Sequence, residues 1–261
     1  MNSSIFIFAI IVLFIGLSFG SFVNVCIYRL PKNKQVLFGR SFCPKCKKRI
    51  KWFDNIPLIS FLSLNGKCRS CKKKISPQYF FVELVSGLGF LMIFLSYDSH
   101  YASFLLAILL LIYLAIFFID LKHFIIPDSL NFSIIILAIF KNFLPNFNTS
   151  FIHDINQSII GGMVGYLSIW IIIYLYRVIK KIEGMGLGDA KLMAGIGLLF
   201  GWQSIPFVLF VSAVLGLISV IPSLINKKKN LRSEIPFGPF IITACFIYFI
   251  CGDFLSSLIQ L

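Results

Sequence analysis

Acidic side chains are scarce in this chain: ten Asp and Glu among 261 residues, against 24 Lys and Arg, with 13% of residues charged. A soluble domain is about a quarter charged. So little charge beside 58% hydrophobic residues and a mean hydropathy of +0.92 excludes an ordinary soluble fold. His100, His123 and His153 form no H-E-x-x-H zinc pair, and no G-x-S-x-G nucleophile elbow is expected, so the zinc and serine peptidase classes lack their signatures. No Rossmann-type glycine fingerprint marks a dinucleotide or nucleoside site. Internal repeats and low-complexity stretches are absent as well. The opening MNSS has no basic n-region, and the apolar run after it ends in basic sequence with no A-x-A site, so a retained anchor is expected and not a cleaved signal peptide.

Long apolar runs are abundant. A bilayer takes roughly 20 residues of helix to cross, and runs near that length lie at 3–27, 79–97, 101–118, 129–144, 155–176, 206–225 and 237–251, with a shorter one at 190–202. Ser129, Asn131 and Asn142 dilute the fourth in chain order, and the glycines of AGIGLLFGW interrupt the sixth. The basic residues then set topology. Arg29, Lys32, Lys34, Arg40, Lys45, Lys47, Lys48, Arg49, Lys51, Lys67, Arg69, Lys72, Lys73 and Lys74 face a single acid, Asp54, in one loop, which is therefore cytoplasmic. Eight spans threaded from that loop put Lys122, then Arg177, Lys180, Lys181 and Lys191, then Lys227, Lys228, Lys229 and Arg232 on the same side. Lys141 alone is left outside, with both termini. Charge that follows the positive-inside pattern loop by loop argues for orientation and anionic-lipid contact, not nucleic-acid binding.

Four of the seven cysteines form two knuckles, Cys43-Pro-Lys-Cys46 and Cys68-Arg-Ser-Cys71. Paired C-x-x-C motifs at this separation present four thiolates to one tetrahedral ion. A four-thiolate zinc site leaves no open coordination position, so its expected role is structural, in a loop with few apolar residues. Disulfides rarely persist in the reducing cytosol. Cys26, Cys245 and Cys251 sit in or at the ends of apolar spans and read as small buried hydrophobes. Between the knuckles, Asp54-Asn55, Pro57 and Asn65-Gly66 break short apolar runs suited to strands or a short helix.

Two aspartates stand at the ends of apolar segments, Asp120 in FFIDLKHFIIPD and Asp189 in GMGLGDAKL. A carboxylate near membrane depth is costly and marks chemistry or transport unless capping explains it. Asp128, after Pro127, reads as the N-cap of the fourth helix. Asp120 would meet the unfavourable end of a helix dipole, and its alternative is an interfacial ion pair with Lys122, with His123 as another partner. Asp189 could cap a helix starting at Ala190, but Gly184, Gly186 and Gly188 before it suit a peptide backbone lying against the loop. Two carboxylates from different helices at one depth can share a proton, one acting as base on water and the other as acid toward the scissile amide. That is aspartyl-protease chemistry, with no covalent intermediate.

Gly20-Ser21-Phe22-Val23-Asn24-Val25, Tyr28-Arg29-Leu30-Pro31, the paired knuckles, Asp54-Asn55-Ile56-Pro57, Ile75-Ser76 to Tyr79, Val82-Glu83-Leu84, Asp120 with Ile126-Pro127-Asp128, and Gly186-Leu187-Gly188-Asp189 with Lys191-Leu192 together resemble the bacterial type IV prepilin peptidases. G-x-G-D alone is shared with the wider class of intramembrane aspartyl proteases. The resemblance implies catalytic residues at Asp120 and Asp189, and an enzyme of the bacterial inner membrane that cuts type IV prepilin or pseudopilin precursors after a glycine at the cytoplasmic face. It further implies N-methylation of the new terminus from S-adenosylmethionine, with the methyltransferase residues on the cytosolic loop and Glu83 and Lys191 as candidates for supporting roles. Where that cofactor binds is not legible.

The expected molecule is an all-α polytopic membrane protein of about eight transmembrane helices with a zinc-ribbon-like cytosolic loop. Its parts are a first helix (1–27), a loop holding Zn2+ on Cys43, Cys46, Cys68 and Cys71 (28–78), and a membrane-embedded peptidase domain of about seven helices (79–261). The rival functions are a proton-coupled carrier with the two aspartates as relay, and a zinc-ribbon scaffold for pilus or secretion assembly.

Overall fold

A computed structural model describes residues 3–37, 39–97, 99–144, 155–181, 185–225 and 235–259. The helices are α1 (Ser3–Arg29), α2 (Ile59–Ser63), α3 (Pro77–Ser96), α4 (His100–His123), α5 (Asp128–Phe140), α6 (Ile155–Lys180), α7 (Leu187–Phe200), α8 (Ser204–Ile225) and α9 (Gly238–Ile259). Apart from the five-residue α2, they fall on the eight apolar runs. Among the described residues five stretches are long and apolar enough to cross a membrane: Ile5–Lys32, Pro77–Ser96, His100–His123, Ile155–Lys180 and Ser204–Ile221. The protein is an all-α polytopic membrane protein. The apolar surfaces of single helices agree: Ile7, Ile11 and Phe14 on α1 are exposed, as are Ile171, Ile172 and Leu175 on α6, faces suited to lipid and not to water. Gly184, His153, Lys227, Lys228, Lys229 and Arg232 lie outside the described residues.

The chain divides into two compact units, Met1–Ala115 and Ile116–Leu261, with the boundary inside α4. In the first, α1 and α3 pack closely along small residues. A Cβ added at Gly20 would lie 2.8 Å from the Glu83 backbone and the Ser86 side chain, and one at Gly16 would lie 2.8 Å from Phe90. The loop after α1 is pinned by Arg29, a residue 7% exposed whose guanidinium donates to the carbonyls of Gln35, Val36 and Gly39. Among the described residues the loop forms no strand beyond the isolated bridges Phe42↔Arg49 and Lys67↔Lys74. Its apolar run becomes a helical turn at Trp52–Asn55 followed by α2.

In the second unit α7 packs against α5, α6, α8 and α9, which explains why a 14-residue helix broken by glycines belongs in a membrane fold. Protein covers its faces. Cβ atoms added at Gly161 of α6 and Gly197 of α7 would each run into the other's backbone carbonyl, so these two positions bring the helices into backbone contact, a small-residue packing mode common between membrane helices. The glycines expected to interrupt the sixth span are thus its packing surface.

Two expectations about helix caps are corrected. α7 starts at Leu187, with Gly186 as its N-cap, so Asp189 lies inside the first turn and is not a cap before Ala190. Pro127 is the N-cap of α5 and Asp128 its first residue, because the fixed φ of proline suits a helix entry. Lys141 is 1% exposed, and its Nζ donates to the carbonyl of Leu199 in the last turn of α7. An ammonium satisfies carbonyls left open at a helix C-terminus and meets the favourable end of the dipole. Of the cysteines read as buried, Cys245 is buried, Cys26 is intermediate and Cys251 is exposed.

Candidate active site and metal centre

In the second unit Asp120, on the last turn of α4, is 4% exposed, and Asp189, on the first turn of α7, is 8% exposed. Asp120 turns its carboxylate toward α9: the backbone N–H of Gly238 donates to its Oδ2 at 2.9 Å. Gly238 opens α9, so Asp120 accepts one of the amides that a helix N-terminus leaves unpaired. Asp189 lies within electrostatic reach of Asp120.

The intervening geometry is defined by Ile126. A Cβ on Gly238 would lie 2.8 Å from Asp120 Oδ2 and 3.2 Å from Ile126 Cδ1, while a Cβ on Gly188 would lie 3.1 Å from Ile126 Cβ. One side chain therefore fills the space between the glycine that holds Asp120 and the glycine that precedes Asp189. The glycines of the G-x-G-D run differ in purpose. Gly188 is small because it packs on Ile126. Gly186 has φ −84°, so no positive φ is required of it, and around its would-be Cβ the nearest atoms are Gly188 N at 3.8 Å and Asp189 Oδ2 at 3.9 Å. Its missing side chain leaves open room beside the Asp189 carboxylate.

Asn131 and Gly238 escaped the reading of the sequence. Asn131, taken as a polar dilution of its span, is 1% exposed and donates from Nδ2 to the carbonyl of Gly188 at 3.2 Å, while its Oδ1 is buried without a partner. It holds the residue next to Asp189. The signal for Gly238 was the string Pro236-Phe237-Gly238-Pro239, in which prolines around one glycine announce a helix entry. Asp128 faces Lys191, with Oδ1 to Nζ at 2.6 Å, tying the start of α5 to α7. G-x-S-x-G spacing does occur, at Gly16-Leu17-Ser18-Phe19-Gly20, contrary to expectation. It lies inside α1, where Ser18 Oγ donates to the carbonyl of Phe14, so no strand-to-helix elbow exists to present a nucleophile.

In the first unit the Sγ atoms of Cys43, Cys46, Cys68 and Cys71 lie within 4.8 Å of one another, a spacing that fits a tetrahedral four-thiolate ion. The two knuckles repeat one backbone pattern. Lys47 N donates to the Cys43 carbonyl and Cys43 N to the Lys48 carbonyl; Lys72 N donates to the Cys68 carbonyl and Cys68 N to the Lys73 carbonyl. Lys47 and Lys72 share the left-handed conformation, at φ 58° and 56°. Backbone N–H groups of Cys71 and Ser70 hold the Cys68 thiol down at about 7, toward the thiolate a metal takes. Arg69, between the second pair, grips both oxygens of Asp54 at 2.7–3.0 Å, and this guanidinium holds the Asp54 carboxyl below its ordinary range. The lone acid of the loop thus fastens the intervening stretch to the second knuckle.

Residues 105–221 match the type IV leader peptidase family, and residues 14–97 match the bacterial peptidase A24 N-terminal domain. A prepilin leader peptidase/N-methyltransferase of Vibrio cholerae serotype O1 is 36% identical over 253 residues, covering 94% of this chain and 97% of that protein. The chain belongs to the type IV leader peptidase family. Proteins of the same description from Stutzerimonas stutzeri (33% identical; 96% of this chain, 93% of that protein) and Aeromonas salmonicida (31%; 94% and 91%) are similar over nearly their whole length. No solved structure matches the chain. The two matched regions separate the features described above: the thiolate cluster lies in the first, and Asp120 and Asp189 in the leader peptidase match.

Proposed function

We propose that this member of the type IV leader peptidase family removes the basic leader from prepilin-like precursors after a glycine, with Asp120 and Asp189 as its catalytic pair at the cytoplasmic membrane face. The observation that carries this reading is a pair of buried carboxylates within electrostatic reach of each other, one held by the Gly238 amide and the other beside the open backbone of Gly186. Such a pair shares one proton between two nearby carboxyl groups, so one can activate water while the other protonates the departing amine. The bare backbone at Gly186 leaves an extended peptide room to approach Asp189. The helix-terminal Gly238 amide fixes the orientation of Asp120, so the pair is set before substrate arrives.

The second half of the function is methylation of the new amino terminus, in keeping with the names of the relatives. The four thiolates are assigned to a structural Zn2+ with no open position for substrate, which supplies folding energy to the loop. The proposed organisation is the first helix at 1–27, the metal-holding loop at 28–78 and the peptidase domain at 79–261, in the bacterial inner membrane. Mass spectrometry of a prepilin incubated with purified protein and S-adenosylmethionine tests both activities, by cut position and by a terminal mass increment of one methylene, about 14 daltons. A carrier or a scaffold would leave the leader attached.

A further inference from the structure

Between Lys51 and Lys67 the loop after α1 carries no Lys or Arg, although Lys47, Lys48 and Arg49 crowd one side of that stretch and Lys72, Lys73 and Lys74 the other. The stretch holds the helical turn Trp52–Asn55 and α2, and three of its apolar side chains stand largely outside the packed protein: Trp52 is 81% exposed, Leu62 61% and Ile59 53%. Ile59 and Leu62 are three apart on α2 and share a face, while Phe61 turns to Phe80 of α3, with ring centroids 5.5 Å apart. Depth decides what covers that face. About 20 residues of helix cross a bilayer; counted from Ile5, where the first span starts, they end at Asn24, whose Nδ2 donates to the carbonyl of Tyr79 at 3.1 Å. Glu83, one turn further into α3 and packed on Gly20 of α1, accepts at Oε2 from Leu58 N at 2.8 Å, and Leu58 is the N-cap of α2. The short helix is therefore tethered to the spans level with the edge of the hydrocarbon, and not out in the aqueous part of the loop. Phe81 and Val85 of α3, at the same depth, are 54% and 42% exposed, the lipid-facing side of a span.

We infer that the stretch from Trp52 to Leu62 is an interfacial anchor, seating Trp52, Ile59 and Leu62 in the bilayer leaflet at which α1 ends and α3 begins. An amphipathic tryptophan ring suits the headgroup layer, the apolar side chains of α2 suit the headgroup–acyl boundary beneath it, and the cations on either side suit lipid phosphates at the end of flexible apolar stems. The same cations disfavour the rival occupant, a basic leader peptide, by like-charge repulsion. This seat differs from the orientation that loop charge alone provides. Exposed charges are screened by salt, whereas apolar burial is not, so the anchor holds at an ionic strength that would release a loop drawn to the membrane by charge only. It depends on neither the peptidase nor the methyltransferase reading.

The test uses the full-length, zinc-loaded protein in vesicles of phosphatidylethanolamine and phosphatidylglycerol. With Trp170→Phe and Trp202→Phe, Trp52 is the one tryptophan left. Phosphatidylcholine brominated on its acyl chains should quench its fluorescence about twofold, as suits a ring roughly 5–10 Å into the interfacial layer, and the quenching should persist in high salt. Adding Ile59→Asp and Leu62→Asp should abolish it while zinc content stays unchanged. An arm on the wild type needs no substitution: a phospholipid carrying a diazirine on its acyl chain should label the tryptic peptide 52–67 as well as the spans, and it decides the matter if the single-tryptophan protein does not fold. Free access of acrylamide to Trp52, with label confined to the spans, would overturn the anchor and leave the face in water. Protection from acrylamide without bromolipid quenching would also overturn it, because a protein surface, a second copy or a prepilin helix, would then be the cover. Quenching lost in high salt, or unchanged by the two aspartates, would mean that charge and not the apolar face holds the loop.

Discussion

The amide of Gly238 donates to Asp120 Oδ2 at 2.9 Å, and the side chain that Gly238 lacks would have placed a carbon 2.8 Å from that same oxygen. Gly238 is at once the donor that orients the carboxylate and the vacancy that admits it. Gly238→Ala should push the carboxylate out of place and lower prepilin cleavage by about 10²-fold, the cost of a misplacement near 1 Å in a catalytic group. Gly216→Ala is the control, because its nearest neighbour, Phe240, lies at an ordinary 3.6 Å. Equal cleavage rates for the two variants would remove the orienting role.

Asp120→Asn and Asp189→Asn should each reduce cleavage by about 10³-fold or more, since general acid–base groups contribute roughly 10²–10⁴. An amide oxygen at position 120 can still accept the Gly238 N–H, so α9 keeps its partner and the variant stays folded and inserted. This separates catalysis from capping. Near-normal single-turnover cleavage in either variant, with folding verified by thermal unfolding, would reject the pair.

The helices were legible because apolar run length and basic loops are one-dimensional signals, and eight runs found eight helices. The catalytic candidates were legible for a related reason: an Asp among Phe and Ile is conspicuous at any position. What remained hidden depended on a partner distant in the chain. Nothing around Lys141 announces the Leu199 carbonyl that lets an ammonium be buried, and nothing around Asn131 announces Gly188. The start of α7 was placed too late because Asp189 was read from its local sequence alone, as a cap, whereas packing of Gly188 on Ile126 lets the helix begin earlier, at Leu187.

Cys43→Ser should strip the loop of metal. Removing one thiolate from a closed four-ligand site loses much of a binding free energy that is also folding free energy, so the variant should carry under half the wild-type zinc by elemental analysis and be cut faster by trypsin around Lys51. A chelator should produce the same proteolytic pattern in the wild type. Full zinc content with unchanged cleavage in the variant would rule out Cys43 as a ligand.

Gly197→Val places a branched side chain where the carbonyl of Gly161 already stands. Overpacking of this kind costs about 1–3 kcal/mol, and here it must part α6 from α7, the helix that carries Asp189. The unfolding temperature should fall, and cleavage should fall with it. Gly162→Ala is expected to be milder, because the neighbour there is the movable side chain of Leu198 at 2.7 Å and not backbone. Equal effects of the two substitutions would mean that α6 and α7 are not locked by backbone contact.

Asp128 is the third acid near the site, and its environment distinguishes it from the pair. Its side chain is 60% exposed and meets Lys191, itself 32% exposed, at 2.6 Å, whereas Asp120 and Asp189 are buried. Solvent-exposed ion pairs contribute about 0–1 kcal/mol and are screened by salt. Asp128→Asn should therefore change stability by less than ~1 kcal/mol and leave cleavage within a few-fold of wild type, with the difference shrinking in high salt. The exchange Asp128→Lys with Lys191→Asp should restore whatever the first substitution alone loses, because an ion pair needs two opposite charges and not a particular order. Loss of cleavage in Asp128→Asn as deep as that in Asp120→Asn, and no rescue by the exchange, would make Asp128 a member of the catalytic machinery in place of a clasp between α5 and α7.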